Sequence, residues 1–369
     1  MSLRIATFNV ENLVSRFDFS GFRNELHQDR SVKLYDIRSE AEYRQIEQAR
    51  AIALTDDTRQ LTALAIAEAG ADIMCLQEVD SLNALKAFEY GYLFKMIGRG
   101  YRNKYLVDGN DGRGIDVAVM MRNQTRDGQE IAFIEMQSHA HLTYENLGLF
   151  DDAIAETNQP NDRIFRRDCL EISVEVDGMP LSIFLCHFKS MGSPRNGMDG
   201  RSATMAVRRA EAMAVRRIIE DRFGGDKAAS KRWIIAGDLN DYQERIIITG
   251  DRANGFAFEH KAESAGAIDV FTADGFAENA VMRLAPDERW TLFHTRGPDE
   301  RHLCQLDYLL LSPALAKSNS TRKPDIIRSG QPYRTIFPPH QSVERYPRTG
   351  WDRPKASDHC PVAMTLDML

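Results

Sequence analysis

Polar side chains that can bind a metal ion or move a proton follow short apolar runs throughout this 369-residue chain. Taken singly, each would be explained by a turn or a helix cap. Because the strand ends of an α/β sheet open into loops, we expect these side chains to meet in one cleft. The set comprises Asn9, Glu11, Glu78, His187, Asp238, Asn240, Asp307, Asp358 and His359.

The chemical types in this set predict a hard, oxygen-seeking cation. Clustered carboxylate oxygens without cysteine ligands or histidine-rich spacing favour Mg²⁺ or Mn²⁺ over zinc. A hard cation beside two imidazoles and two amides can neutralise charge, activate a water molecule and donate to nonbridging oxygens. The set therefore predicts hydrolysis of a phosphoester.

The elements that must position these residues alternate between strands and helices. A clear amphipathic helix is predicted over 202–222, and a hairpin over 176–180 indicates that some strands pair antiparallel. Both features predict a mixed α/β fold. The predicted strands cover 4–10, 73–77, 117–122, 170–176, 181–187, 233–236, 306–311 and 362–366.

Two long connections interrupt this pattern. Residues 15–60 and 244–298 are expected to be insertions at the rim of the fold, the second irregular in structure, and either one could shape a substrate cleft. No repeat or low-complexity tract marks a boundary, so residues 1–369 are predicted to form one domain.

Composition and net charge indicate which classes of protein this chain could belong to. A hydrophobic content of 43% with 27% charged residues is typical of a globular protein with a sizeable core. The net charge of −7 provides no general attraction for nucleic acid. A nuclease remains compatible, since a metal ion and a few local arginines can supply positive charge at the phosphate.

The sequence also predicts where the protein is located and whether its cysteines form disulfides. No apolar run approaches the roughly 20 residues that span a bilayer, so no integral membrane association is expected. A strand pattern begins at residue 4 with no leader ahead of it, which favours the cytoplasm. The five scattered cysteines are expected to be buried thiols in a reducing compartment. No protein partner is predicted.

Six motifs in the chain resemble those of the endonuclease/exonuclease/phosphatase superfamily, also called DNase I-like. A single L-Q-E or S-D-H would be weak, whereas six in the family's order across nearly the whole chain are specific. They are T-F-N-V-E-N at 7–12, C-L-Q-E at 75–78, C-H-F-K-S at 186–190, G-D-L-N-D at 237–241, Q-L-D-Y-L-L-L-S at 305–312 and S-D-H-C-P-V at 357–362.

The resemblance implies a four-layer sandwich of two packed mixed sheets flanked by helices. It also implies that Glu78 is the principal metal ligand. Three further residues would lie close to the metal or its waters, namely Asn9, Glu11 and Asp358.

The remaining motif residues would perform the acid–base and electrostatic steps without a covalent intermediate. Asp238 would orient or deprotonate the attacking water, and Asn240 would hold Asp238 or the phosphate. Asp307 would orient His359, whose protonated ring would stabilise charge on the phosphate.

Residues other than the predicted metal ligands indicate which branch of the superfamily the chain resembles. Abasic-site endonucleases lack a histidine at the position of His187, whereas DNase I-like, sphingomyelinase and inositol-phosphatase branches have one, which is proposed to protonate the leaving oxygen. Arg167 resembles a phosphate-contacting arginine, and Arg113 and Lys189 are further candidates. Asp116 is expected to pair with His187 or to line the rim.

Two pairs of arginines on the predicted helix could form a stripe that binds phosphate. Arg208, Arg209, Arg216 and Arg217 alternate with apolar residues, a pattern more typical of a solvated outer face. We therefore expect them to lie outside the site.

Three functions fit these residues. The leading prediction is an endonuclease- or exonuclease-type phosphodiesterase with nucleic acid or another phosphoester as substrate. A phosphatase or phospholipase-C-like enzyme, acting on a small phosphorylated molecule or a lipid headgroup, needs the same site. An inactive scaffold is disfavoured, because every motif carboxylate and histidine is present.

Overall fold

The computed structural model describes residues 2–13, 39–41, 56–192, 197–295 and 300–368. Each predicted strand is confirmed, with ends that differ by a few residues. The strands in these ranges are β1 Ser2–Leu13, β2 Ile73–Val79, β3 Asn103–Leu106, β4 Asp116–Met121, β5 Ile131–Ser138, β6 Cys169–Val176, β7 Met179–His187, β8 Trp233–Asp238, β9 Glu244–Asp251, β10 Gly255–Ala262, β11 Glu278–Asn279, β12 Leu292–Thr295, β13 Arg301–Cys304, β14 Asp307–Leu311, β15 Asp325–Ile326 and β16 Val362–Asp367.

Helices cover the sheets and link some of the strands. A π-helical turn over Glu89–Phe94 joins two of the α-helices, and 3₁₀ turns lie at Gly225–Ser230, Ala273–Gly275, Ala280–Arg283 and Pro286–Glu288. The α-helices are α1 Asp56–Ala69, α2 Leu82–Phe88, α3 Lys95–Ile97, α4 Asp152–Ala155, α5 Gly200–Ala203, α6 Met205–Phe223, α7 Asp269–Thr272 and α8 Pro313–Ser318.

Two six-stranded mixed sheets form the body of the protein. Their orders are β15-β16-β1-β2-β4-β3 and β11-β14-β8-β7-β6-β5. In each sheet one central pair is parallel, β1 with β2 and β7 with β8, and the other pairs are antiparallel. The predicted hairpin between β6 and β7 is present, with Asp177 and Gly178 both at positive φ as a tight two-residue turn requires.

The core lies between the inner faces of these two sheets. Apolar residues of both sheets, such as Ile5, Val119, Ile172 and Ile234, form one buried cluster there. The outer face of the first sheet packs on α1 and that of the second on α6. The layers are thus helix, sheet, sheet and helix, which confirms the predicted four-layer sandwich. All five cysteines are buried and free, as predicted.

The prediction that residues 244–298 are irregular was wrong. This stretch supplies β9, β10 and β12, which join β13 in a third, four-stranded antiparallel sheet of order β10-β9-β13-β12. In β9 and β10 only one face is buried, against a cluster that includes Ile246, Trp290 and Leu303. A half-exposed sheet alternates polar and apolar residues, and that pattern was obscured here by charged residues.

Helix α6 contains a second departure from the sequence prediction. Arg209 and Arg217 are exposed as expected, but Arg208 has no exposed surface. Its guanidinium donates to the Arg201 carbonyl and to Thr204 Oγ1 because the chain before α6 folds over that side of the helix. Helical periodicity alone cannot reveal such a covering loop.

Most of the predicted insertion at 15–60 lies outside the described residues, and the single-domain organisation stays a prediction. No helix in the described ranges is long and apolar enough to cross a membrane.

Candidate active site

Strand register brings three of the predicted residues side by side. His187 at the end of β7 pairs with Asp238 at the end of β8, and Asp307 at the start of β14 pairs with the same Asp238. Strand β1 of the other sheet packs against β8, and Asn9 Nδ2 donates to Asp238 Oδ2 at 3.0 Å. Both sheets therefore contribute to one site, at the edge where these strands end.

Asp238 is the carboxylate at the centre of this group. Asn240 donates to it twice, from its backbone N–H to Oδ1 at 2.9 Å and from Nδ2 to Oδ2 at 3.1 Å. Burial raises the pKa of Asp238 to about 7, although the charge of His359 acts in the opposite direction. A carboxylate with a pKa near neutrality is suited to accept a proton at the pH of a cell.

The turn after Asp238 requires unusual backbone angles. Gly237 has φ 139°, and a Cβ there would lie 1.9 Å from the Cys186 carbonyl oxygen. Asn240 itself has φ 50°. The glycine therefore allows β7 and β8 to approach closely, and the left-handed Asn240 brings its amide back onto Asp238.

His359 and Asp307 form a buried ion pair. His359 Nδ1 lies 2.8 Å from Asp307 Oδ2, which also accepts a hydrogen bond from Thr291 Oγ1 at 2.7 Å. Burial would lower the pKa of His359, but Asp307 and Asp238 outweigh it and hold this pKa well above its usual value. The ring is therefore an imidazolium whose Nε2 points towards Asp238 Oδ2, 3.8 Å away.

His187 lies on the other side of Asp238 in a different electrostatic environment. Its Nε2 is 3.6 Å from Asp238 Oδ2 and 4.0 Å from Glu78 Oε1. Burial, followed by the charges of Arg167 and Arg113, holds the pKa of His187 well below its usual value. This ring is therefore neutral, and its buried Nδ1 has no hydrogen-bond partner in the described structure.

Glu78 lies at a strained position near the end of β2. Its backbone has φ 66°, and the Asn12 N–H donates to its Oε2 at 3.0 Å. Burial, followed by the negative charge of Asp358, raises the pKa of Glu78. Burial and Asp358 therefore outweigh the nearby positive charges of Arg113, His359 and Arg167, and a cation would supply further compensation.

Glu11 and Asp358 meet beside Glu78, and both have cations close by. Glu11 forms ion pairs with Arg353 and Lys355, and its Oε2 accepts the Asp358 N–H at 3.1 Å. Burial raises the pKa of Asp358, but Lys355 and His359 outweigh it and hold this pKa below its usual value. Glu11 thus fixes the backbone of the loop that carries Asp358.

No three His, Cys, Asp or Glu side chains in the described ranges converge tightly enough to form a ready-made metal cage. Some cations bind proteins without a preformed set of three or more such ligands. Mg²⁺ usually keeps several waters and is held through one or two carboxylates together with the phosphate of a substrate. The arrangement around Glu78 is compatible with that mode and not with a four-ligand zinc centre.

The three predicted phosphate-binding residues differ in their accessibility. Arg167 is buried, with Nε 2.8 Å from Asp111 Oδ2 and Nη1 donating to the Phe188 carbonyl at 2.9 Å. Arg113 is 41% exposed and binds the same Asp111. Burial, followed by the charge of Arg167, lowers the pKa of Lys189. Arg113 is therefore partly open to solvent, whereas Arg167 is enclosed and held by Asp111 and Phe188.

The predicted pairing of Asp116 with His187 is wrong. Asp116 Oδ1 instead accepts the Gly109 N–H at 2.8 Å. Burial raises the pKa of Asp116 to about 6, with contributions from Asp108 and Asp111. The chain places Asp116 at the start of β4, where it supports the loop that packs against Arg167.

Sequence reasoning missed Glu211 on α6, a carboxylate with no exposed surface. Its two oxygens accept the backbone N–H of Arg166 at 3.0 Å and of Lys189 at 2.8 Å. The Phe188 carbonyl between His187 and Lys189 accepts from both Arg167 and Asn240. Glu211 therefore anchors the two loops that carry Arg167 and His187. Its only sequence signal was an acidic residue on an otherwise apolar helix face.

An open cleft of about 560 Å³ extends from this site along the third sheet. One end is formed by Asn240 and His359, and the walls include Arg201, Tyr242 and Arg245. Arg201 pairs with Asp241 and Arg245 with Glu263, so the walls carry compensated charge. The cleft is large enough for a group attached to a phosphate bound at the site.

Solved structures show the same architecture at low sequence identity. An endonuclease/exonuclease/phosphatase family protein from Bacteroides thetaiotaomicron is 15% identical, with TM-score 0.53 over 99% of this chain and 95% of that chain. D. rerio TDP2 complexed with a single-strand DNA product is 14% identical, with TM-score 0.51 over 99% of both chains. At these identities the likeness shows the fold alone.

The sequence itself matches a known family over nearly its whole length. No protein of curated function matches it. The profile of the Endonuclease/Exonuclease/phosphatase family matches residues 6–359, a range that includes every candidate site residue described above. The chain belongs to the Endonuclease/Exonuclease/phosphatase family.

Proposed function

We propose that this protein is a divalent-metal-dependent phosphodiesterase of the nuclease type, which uses water to cleave P–O bonds in nucleic acid. The observation that carries the proposal is the grouping of a near-neutral carboxyl, Asp238, between a charged histidine, His359, and a neutral one, His187. The coarser conclusion, a phosphoesterase- or nuclease-type fold, rests on the family and its structural neighbours.

Asp238 is the proposed general base. Asn9 and Asn240 fix its carboxylate, so the oxygen that faces the two histidines has a defined direction. Its raised pKa allows it to take a proton from water and to release it after each turnover.

His359 is the proposed electrostatic stabiliser. Its imidazolium is formed before substrate binds, because Asp307 holds the proton on the ring. A fixed positive donor stabilises the charge that develops on phosphate oxygens without reorganising in the transition state. Asp307 acts through His359 as a positioning residue, and Thr291 in turn holds Asp307.

His187 is proposed to donate a hydrogen bond to the leaving or a nonbridging oxygen. Because its ring is neutral, it is not charged ahead of binding as His359 is. With its single N–H on Nε2, the nitrogen that faces Asp238 and Glu78, the neutral ring would donate a hydrogen bond to the leaving oxygen, and solvent would supply the proton that this oxygen finally takes. The two histidines would thus perform separate parts of the reaction.

Mg²⁺ or Mn²⁺ fits the donor set on the opposite wall. Glu78 is the proposed principal ligand, since burial and the charge of Asp358 outweigh the positive charges around it. Asn9, Glu11 and Asp358 are proposed to lie near the ion or its waters, and Glu11 also orients the loop that carries Asp358. When bound, the cation would neutralise phosphate charge and polarise the scissile bond.

Three nearby cations are proposed to complete the phosphate site. Arg167 would supply a fixed charge from beneath it, because its guanidinium is held by Asp111 and Phe188. Arg113 and Lys189 are proposed to contact the substrate directly. Nucleic acid is the proposed substrate class, which is the kind of product held by D. rerio TDP2, a protein of the same fold.

Metal-dependent hydrolysis by the purified wild-type protein tests this proposal. Single-stranded DNA, duplex DNA and RNA are compared with bis-p-nitrophenyl phosphate and with a panel of phosphomonoesters, in Mg²⁺, Mn²⁺ and EDTA. We expect cleavage of the diesters in Mg²⁺ or Mn²⁺ and none in EDTA. Turnover of monoesters alone would place the protein among the phosphatases, and no turnover of any ester would identify it as a scaffold.

A further inference from the structure

The chain between β2 and β3 forms an exposed aromatic and basic surface remote from the active site. It borders a cleft of about 530 Å³, hereafter the edge cleft, whose lining includes Phe94, Arg99, Arg102, Asn123 and Gln124. The surface belongs to none of the six motifs, and no role described so far uses it.

Positive charge on this surface is largely uncompensated. Lys86, Lys95, Arg99 and Arg102 are exposed, and none forms an ion pair with another described residue. The only acidic residue between positions 82 and 102 is Glu89, which is buried and paired with Lys104 at 3.0 Å. A protein of net charge −7 therefore presents local positive charge here, and Arg99 and Arg102 line the edge cleft itself.

Aromatic rings lie in the same place. Tyr90 is 67% exposed and Phe94 is 41% exposed, and their rings stack with centroids 6.0 Å apart and an interplanar angle of 8°. Both belong to the π-helical turn, a rare element that is frequent at functional sites. Exposed stacked rings next to free guanidinium groups indicate a surface that binds a ligand.

We infer that the edge cleft and the Tyr90–Phe94 stack form a second binding site for single-stranded nucleic acid. Bases can stack on the aromatic faces, and Arg99 and Arg102 can bind phosphate oxygens. The amides of Asn123 and Gln124 supply donors and acceptors for base edges. An anionic membrane fits less well, because Phe94 lies in the wall of a cleft that it shares with arginine and amide side chains rather than on a projecting apolar ridge.

The position of this site determines the length of substrate that can use it. In the strand register, Met121 beside the edge cleft pairs with Ile73 at the start of β2, whereas Glu78 lies five residues further along that strand. At roughly 3.3 Å per residue the two sites are about 17 Å apart along the sheet. A polymer can bind both sites at once, whereas a small diester reaches only the active site.

This inference rests on the proposed function, and its test separates the two. The variant is Arg99→Gln/Arg102→Gln, and the matched control is Lys227→Gln/Lys231→Gln, two exposed cations beyond α6. A second variant, Tyr90→Ser, removes one ring of the stack at a largely exposed position. Binding of a short fluorescein-labelled oligothymidylate is measured by anisotropy in EDTA, and hydrolysis of bis-p-nitrophenyl phosphate is measured in Mg²⁺.

We expect the arginine variant to bind the oligonucleotide about tenfold more weakly, since removing a single stacking or charged contact commonly has an effect of that size. The slope of log affinity against log salt should fall by about 1.4, because each phosphate contact on a single strand contributes about 0.7. KM for a long oligonucleotide should rise while kcat and the hydrolysis of the small diester stay unchanged. Tyr90→Ser should weaken binding, and the lysine control should not.

Equal oligonucleotide affinity in the arginine variant and the wild type overturns the inference, whether or not the small diester is hydrolysed. Loss of binding to phosphatidylglycerol vesicles with unchanged oligonucleotide binding overturns it in favour of a membrane surface. Absence of diester hydrolysis in every protein contradicts the proposed function separately.

Discussion

The two sides of the candidate active site bury a histidine to a similar extent but leave it in opposite charge states. On one side, the carboxylates of Asp307 and Asp238 keep His359 protonated. On the other, burial and the guanidinium groups of Arg167 and Arg113 keep His187 neutral. Neighbouring charge, and not burial alone, therefore decides which ring carries the proton.

This difference assigns separate chemical tasks to two side chains of the same type. A permanent imidazolium can stabilise negative charge, and a neutral ring can exchange a proton. Four experiments test the comparison, and they run from the largest expected effect to the smallest.

Removing the charged histidine should have the largest effect. We expect His359→Ala to lower kcat on a diester by about 10³-fold, since loss of one preorganised charge donor costs about 10²–10³ and a buried Asp307 is left unpaired. Steady-state kinetics and circular dichroism check this. Asp307→Asn should show a smaller loss in the same direction, and a wild-type rate in His359→Ala would contradict the assignment.

Removing the neutral histidine should have an intermediate effect. His187→Ala is expected to lower kcat by about 10²-fold, at the lower end of the range for proton transfer by a positioned side chain. The loss should shrink for a diester with an activated leaving group such as p-nitrophenol, because that group needs little proton donation. An equal loss with activated and poor leaving groups would exclude a role at the leaving oxygen.

Replacing Glu211, which holds the loop that follows His187, should have a smaller effect. Glu211→Gln keeps an acceptor for one of the two loop N–H groups, so we expect kcat to fall about tenfold, in keeping with the loss of about one buried hydrogen bond. Glu211→Ala should lose more activity, and Glu220→Gln, at an exposed position of the same helix, should behave like the wild type. Comparable kcat in all three variants would show that Glu211 does not position the loops.

Neutralising Asp116 should change stability and not activity. The pKa of Asp116 is raised to about 6 by burial, from an ordinary value near 4 in the unfolded chain. The native state therefore loses stability as pH rises between about 4 and 6, as the unfolded chain releases the proton first. Asp116→Asn should raise the free energy of unfolding at pH 8 by on the order of 1 kcal/mol.

At pH 4 the stabilisation by Asp116→Asn should disappear, because the carboxyl is then largely protonated in the folded protein. Urea unfolding at both pH values measures this difference. Diester hydrolysis by the variant should match the wild type, since Asp116 does not bond to His187. A large loss of activity would restore the pairing that the structure contradicts.

Much of the fold could be predicted because strands and motifs are recognised from residues that are close together in the sequence. The buried strand Trp233–Asp238 is continuously apolar up to its last residues. The polar residues at its end predicted a functional site there. The register that aligns His187, Asp238 and Asp307 arises from pairing among three strands. Their positions at strand ends predicted a shared cleft, and the family resemblance predicted their roles, but neither predicts this register.

The errors arose where tertiary contacts override local pattern. Arg208 and Glu211 resemble ordinary surface charges on a helix, and only a covering loop makes them buried. The third sheet was missed because its exposed face interrupts the apolar pattern of β9 and β10. The family resemblance predicted the protonated ring of His359, but the neutral state of His187 depends on Arg167 and Arg113, and no motif predicted it.

The most direct test of the central claim compares wild type with Asp238→Asn on single-stranded DNA and on bis-p-nitrophenyl phosphate in Mg²⁺. We expect the wild type to hydrolyse both and the variant to lose about 10³-fold or more of kcat with unchanged circular dichroism, because an amide cannot accept the proton of water. Hydrolysis by the variant at the wild-type rate, or no hydrolysis of either diester by the wild type, would contradict the account.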